Sequence, residues 1–153
     1  MRRLLWLLIL SAFATLQAQT FQVDYLYRAP DKPNKPKRAF GVITLDSAKK
    51  SLTFTSSPTG PWGRRQPMLK FDITAAAATT MTYERESAPP SSGNDGGLIT
   101  TALEGLTARA DKHFVTLQYK TTSGEGRYAI FHFERSKDVR EALAAIEAAL
   151  GIH

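Results

Sequence analysis

Short stretches of alternating apolar and polar residues recur along most of this chain, and a single amphipathic helical pattern, Ser136 to Gly151, ends it. Period-2 alternation buries one face of a strand, and one 3.6-period stripe buries one side of a helix. The order therefore predicts a mainly β fold, a barrel or sandwich of about seven antiparallel strands capped by one C-terminal helix.

The first segment reads differently. Arg2 and Arg3 precede an apolar run from Leu4 to Leu10, and small Ala18 is followed by polar Gln19. This is the pattern of a signal peptide, with cleavage expected after Ala18 and export to the periplasm or cell exterior, the alternative being an uncleaved N-terminal anchor. The apolar stretch to Leu16 falls short of the roughly 20 residues a spanning helix needs. Residues 19–38 are read as an N-terminal strand and a basic Pro-rich linker. Residues 39–151 are read as the folded domain, with an insertion at 86–110.

The chain has no cysteine, so disulfides, thiolate catalysis and Cys-ligated zinc are excluded, and burial must hold the fold. The formal charge of the 153 residues is +6, and loss of Arg2 and Arg3 leaves 18 basic against 14 acidic residues. Arg28, Lys32, Lys35, Lys37 and Arg38, opposed only by Asp31, account for that excess. A broad basic face that tracks nucleic acid is not indicated. Pro30, Pro33 and Pro36 interrupt this basic stretch, which reads as an extended solvated linker or as an arm touching an anionic surface.

Strands are expected at Phe21–Arg28, Phe40–Leu45, Ser51–Thr55, Leu69–Ile73, around Met81–Tyr83, Lys112–Tyr119 and Arg127–Phe133. Leu26 breaks the alternation of the first strand. Ala75 to Ala78 is read as a turn, because four alanines do not nucleate a helix. Pro58 to Pro67 is a loop. Leu98, Ile99, Ala102, Leu103 and Leu106 follow a Pro/Ser/Gly-rich stretch at helical spacing, as an amphipathic segment that folds back on the domain or serves as a lid. In the terminal helix, Ser136 is the expected N-cap and Gly151 the stop, while Val139, Leu143, Ile146 and Leu150, with Ala142 and Ala149, form the core stripe. Trp62, Tyr25 and Tyr27 are assigned to core completion, with an aromatic contact surface as the alternative.

Catalytic signatures do not assemble. His113, His132 and His153 lack a zinc spacing, and neither a nucleophile elbow nor a phosphate-binding loop with its lysine is present. Gly124-Glu125-Gly126 reads as a hairpin turn. The chain is accordingly expected to be non-enzymatic, with no catalytic, metal or cofactor site.

The succession Gly41-Val42-Ile43-Thr44-Leu45, Ser51-Leu52-Thr53-Phe54, Phe71-Asp72-Ile73, Lys112 to Tyr119, Tyr128 to Phe133 and a final helix resembles GRAM and bacterial pleckstrin-homology-like domains. The resemblance implies two packed antiparallel sheets, closed at one end by the helix, acting as a binding or scaffolding module. It further implies recognition of anionic headgroups or peptides by basic loop residues, for which Lys49, Lys50, Arg64 and Arg65 are the candidates. The expected partner is a protein or an anionic envelope surface, not nucleic acid, met by a monomer with peripheral membrane contact at most. The alternative is a small secreted carrier holding an apolar ligand between the sheets, under a lid of residues 98–106.

Overall fold

The computed structural model describes residues 18–85 and 112–153. Seven strands form one antiparallel sheet: β1 Gln19–Ala29, β2 Lys32–Asp46, β3 Ser51–Ser56, β4 Lys70–Thr74, β5 Ala78–Arg85, β6 His113–Lys120 and β7 Gly126–Phe133. A helix, α1, spans Ser136–Leu150. The strand order is β4-β3-β2-β1-β7-β6-β5.

This sheet is not closed into a barrel. β4 and β5 are its two edges, joined by a turn over Ala75–Ala77 with no ladder between them. It is nonetheless strongly curled. In a flat sheet β4 and β7 would lie four strand spacings apart, about 19 Å. Yet the rings of Phe71 on β4 and Phe131 on β7 have centroids 6.4 Å apart. The two halves thus face one another across a shared interior, hinged on β1, which pairs with β2 along its length but meets β7 only at Asp24, Tyr25 and Leu26. Alternation fixes which side chains point inward, but it leaves closure of the ladder undetermined.

The interior is built from the residues the alternation selects. Val23, Ile43, Leu45, Leu52, Phe54, Ile73, Val115, Leu117, Ala129, Phe131 and Phe133 are buried together with Val139, Ala142, Ile146, Ala149 and Leu150 of α1. Leu143 is partly buried at the margin of the same cluster. Tyr25, Phe54, Phe71 and Phe131 form a contiguous ring cluster with centroids 4.9 to 6.4 Å apart. These rings occupy the space between the halves where the carrier alternative would place its ligand.

Three local expectations are corrected. Residues 30–38 are not a linker: Pro30-Asp31 is a turn, and Lys32 to Arg38 continue β2 against β1. β3 pairs only with Gly41–Asp46, so among the described residues the first half of β2 has one neighbour. A proline can leave its missing N–H on the open side of such a stretch. Residues 19–38 therefore belong to the sheet.

The second correction concerns the helix start. The N-cap is Arg135, not Ser136; its side chain makes no capping hydrogen bond to the helix backbone, and its Nε donates to Asp138 Oδ2 at 2.8 Å. Charge pairing within the first turn replaces the hydroxyl cap there. The helix ends as expected, with Gly151 left-handed (φ 66°) and its N–H donating to Glu147 O. Third, Trp62 is not in the core but 95% exposed.

Candidate functional site

Because β2 and β3 run antiparallel, the loop after Ser56 leaves the sheet at the same end as the β1–β2 hairpin, and the β2–β3 turn lies at the other end of β3. The register separates the four candidate cations. Lys49 and Lys50 sit in the β2–β3 turn, while Arg64 and Arg65 sit in the β3–β4 loop. The six residues of β3 put about 17 Å between them. The four therefore do not converge on one ligand group.

The lysine turn is committed to local structure. Asp46 Oδ1 accepts the Lys49 backbone N–H at 2.9 Å, and Asp46 Oδ2 lies 3.5 Å from Lys49 Nζ. These contacts, the backbone hydrogen bond foremost, hold the Asp46 carboxyl below the usual carboxylate range. Lys50 takes a left-handed backbone (φ 50°), and its carbonyl accepts from Ala75 N, tying the two turns together.

The other end is differently built. Residues 57–69 form a loop pinned at its base. The Gln66 side chain accepts from Phe40 N at 3.1 Å and donates to the carbonyls of Phe40 and Ser57. Ser56 Oγ donates to Pro67 O at 3.0 Å and accepts from Leu69 N at 2.7 Å. Further out, Thr59 bridges Arg65, and Gly60 N donates to Arg64 O at 2.8 Å. The loop is thus a small ordered projection on a fixed base.

At its tip stands Trp62, with φ 73° and almost its whole indole in water. A left-handed backbone at a bulky residue costs about 1–3 kcal/mol, and an exposed indole recovers none of it by burial. Gly63 (φ 68°) follows, then Arg64 and Arg65, and Met68 is 69% exposed at the base. Sequence reasoning assigned Trp62 to the core, since composition alone does not say whether a loop tryptophan turns inward. Its Pro-Trp-Gly setting was the available signal.

The β1–β2 hairpin carries further charge beyond the point where β3 ends opposite Gly41. Lys37 pairs with Asp31 at 3.6 Å and Arg38 with Asp24 at 3.5 Å. Arg28, Lys32, Lys35, Arg64 and Arg65 have no carboxylate partner among the described residues. Arg64 and Arg65 stand beside the exposed ring of Trp62, while the hairpin cations lie further along β2, with Lys32 nine residues beyond Gly41, about 30 Å of strand.

A second polar feature lies where β1, β7 and the start of α1 meet. His132 is buried, with Nδ1 3.3 Å from Asp24 Oδ2 and its ring against Phe114. Asp24 is shared with Arg38, and an open pocket of about 360 Å³ is lined there by Gln22, Phe40, Glu134, Arg135 and Asp138 among others. His113 is also buried and bonds Tyr83 Oη through Nδ1 at 2.7 Å. No three metal-ligating side chains gather among the described residues. The lid residues Leu98, Ile99, Ala102, Leu103 and Leu106 lie outside the described residues.

No protein-family model matches this chain, and no curated protein matches it.

Proposed function

We propose that this chain is an exported, non-catalytic binding module of the pleckstrin-homology-like kind that docks on an anionic envelope surface through the loop carrying Trp62, Arg64 and Arg65. The curled antiparallel sheet with its packed terminal helix supports the fold part of this reading. The observation that carries the docking part is Trp62, held outward on a hydrogen-bonded loop beside two arginines that have no carboxylate partner among the described residues. An indole settles at a membrane–water boundary, where its apolar body and polar N–H both find partners. Arginine grips phosphate bidentately, and each basic residue near an anionic leaflet contributes about 1 kcal/mol.

Vesicle flotation tests it. The chain is expected to float with phosphatidylglycerol-containing vesicles, not with pure phosphatidylcholine, and to release as salt screens the charges. Arg64→Glu/Arg65→Glu removes about 2 kcal/mol of attraction and lowers the bound fraction about 30-fold at limiting lipid. Trp62→Ala weakens binding on the same vesicles. Lys49→Glu/Lys50→Glu, at the opposite end, leaves it nearly intact. Failure to float, or equal loss from both charge reversals, defeats the proposal.

A further inference from the structure

A polar pair, Asp24 and His132, is held among apolar side chains on the face of the sheet turned away from the ring cluster. Asp24 is in register with Phe40 on β2 and with His132 on β7, and His132 with Phe114 on β6, so the four form one row across four strands. Leu26, the residue that breaks the alternation of β1, and Ile130 stand in the next row on that face. Leu26, Ile130 and Phe114 are 2%, 1% and 1% exposed, and His132 only 7%. A carboxylate and an imidazole among such neighbours give up hydration that their attraction repays poorly, so the pair is a weak source of stability. What it supplies instead is direction.

Asp24 Oδ2 lies 3.3 Å from His132 Nδ1. A carboxylate there draws the ring proton to Nδ1 and leaves Nε2 as an acceptor. His132 Nε2 has no hydrogen bond to a described residue and is not sealed from solvent, so it opens on the pocket of about 360 Å³ that His132 lines at the start of α1. The rest of the lining also accepts more than it donates. Glu134, immediately past β7, has no cationic partner among the described residues. Arg135 engages only Oδ2 of Asp138, and Arg38 and His132 only Oδ2 of Asp24, which leaves one carboxylate oxygen on each. Three carboxylates and an imidazole lone pair thus stand against Arg135 alone in the lining, with half-buried Phe40 as an apolar wall. The local balance is acidic in a chain whose formal charge is +6.

We infer that this pocket is a further binding site, and that it takes a primary ammonium group. One N–H donates to His132 Nε2, the others find the carboxylate oxygens of Asp24, Glu134 or Asp138, and the attached alkyl chain lies on Phe40. The occupant is a cation, where the Trp62 loop meets an anionic surface, so failure of either assignment leaves the other standing.

Titration of the isotope-enriched full chain with n-butylammonium chloride at constant ionic strength, followed by amide and imidazole nitrogen resonances, tests it. Saturable shifts are expected at the amides of Gln22, Glu134 and Asp138 and at His132 Nε2, and none at Trp62 or Lys49. Choline, a cation with no N–H, is expected to leave them in place. Nα-acetyl-lysine amide forms the second arm: binding of both amines means a small amine suffices, and binding of the lysine derivative alone assigns the pocket to a lysine side chain of a peptide. Glu134→Gln, at an exposed position, is expected to weaken n-butylammonium about ten-fold, and Arg135→Gln to tighten it. Absence of saturable shifts with either amine, equal shifts with choline, the same amides responding to sodium acetate instead, or unchanged affinity in Glu134→Gln overturns the inference.

Discussion

Gly41 offers the sharpest test of how closely β2 and β3 approach one another within the curled sheet. It lies in β2 between Val23 of β1 and Ser56 of β3. Its φ is not in the left-handed range, so any residue could adopt its backbone conformation. On backbone grounds alone, Gly41→Ala should stabilise by about 0.4–1 kcal/mol by narrowing the unfolded ensemble. Packing argues the reverse. A Cβ there would stand 2.4 Å from the Thr55 carbonyl oxygen, 2.8 Å from Ser56 Cα and 2.9 Å from the Phe54 ring. Two of these atoms belong to the β3 backbone, and the third belongs to a ring held by Tyr25, Phe71 and Phe131. None can withdraw without moving a strand. Overpacking of this kind costs about 1–3 kcal/mol, and the backbone partners place Gly41→Ala toward the upper end. The net effect is a loss of about 2 kcal/mol, or a fall of about 8 °C in Tm at about 4 °C per kcal/mol. Urea and thermal unfolding followed by circular dichroism measure it, with Gly126→Ala as the control. Nothing lies within 4 Å of a Cβ at Gly126, so that variant should be neutral or slightly stabilising. Equal stability of the two variants would refute the close approach of β3 to β2 at this point.

Ile146→Ala empties a fully buried position where α1 meets the sheet, and is expected to cost about 2–5 kcal/mol in urea unfolding. Gly151→Ala forces a left-handed Cβ at the end of α1 and should cost about 1–2 kcal/mol, seen as a lower Tm with an unchanged fold. Burial, reinforced by repulsion from Tyr119, pushes the Tyr25 hydroxyl up to about 12 from its ordinary 10.0. The folded state then holds a proton that the unfolded state has lost. The stability this contributes is complete below pH 10 and disappears as pH rises toward 12. Ultraviolet titration of tyrosinate should show a last step near that upper limit that Tyr25→Phe removes.

The strands and the helix could be read from the sequence because each carries its own periodicity. Val115, Leu117, Ala129, Phe131 and Phe133 point where alternation puts them, and Val139, Ala142 and Ile146 follow the helical stripe. What escaped depends on neighbours. Pro33 and Pro36 carry a loop composition, but they lie in a half-strand with one neighbour, where a missing donor costs little. Ser136 has the chemistry of a cap, yet it is the first helical residue and Arg135, which pairs with Asp138, stands at the cap position. The candidate cations were grouped by residue type, and it is the antiparallel turn of β2 into β3 that parts Lys49 and Lys50 from Arg64 and Arg65. Leu26 was visible as an exception in the pattern; its meaning required the β1–β7 register.

The basic end and the core make almost no demands on each other. Trp62, Arg64 and Arg65 are exposed, and what fixes their loop is the hydrogen bonding of Gln66 and Ser56 at its base. Substituting the tip should therefore alter binding with stability changes within about 0.5 kcal/mol, the range of ordinary surface replacements. Gln66→Ala should do the opposite of a tip variant in one respect. It leaves the indole and both guanidinium groups in place but strips the Phe40 and Ser57 backbone groups of their partner, loosening the loop against β2. If docking depends on presenting the indole and the arginines together, Gln66→Ala weakens vesicle binding without removing a single contacting group, because ordering the loop must then be done at the membrane. If charge alone governs binding, Gln66→Ala floats as the native chain does, and the pinned loop has no part in it.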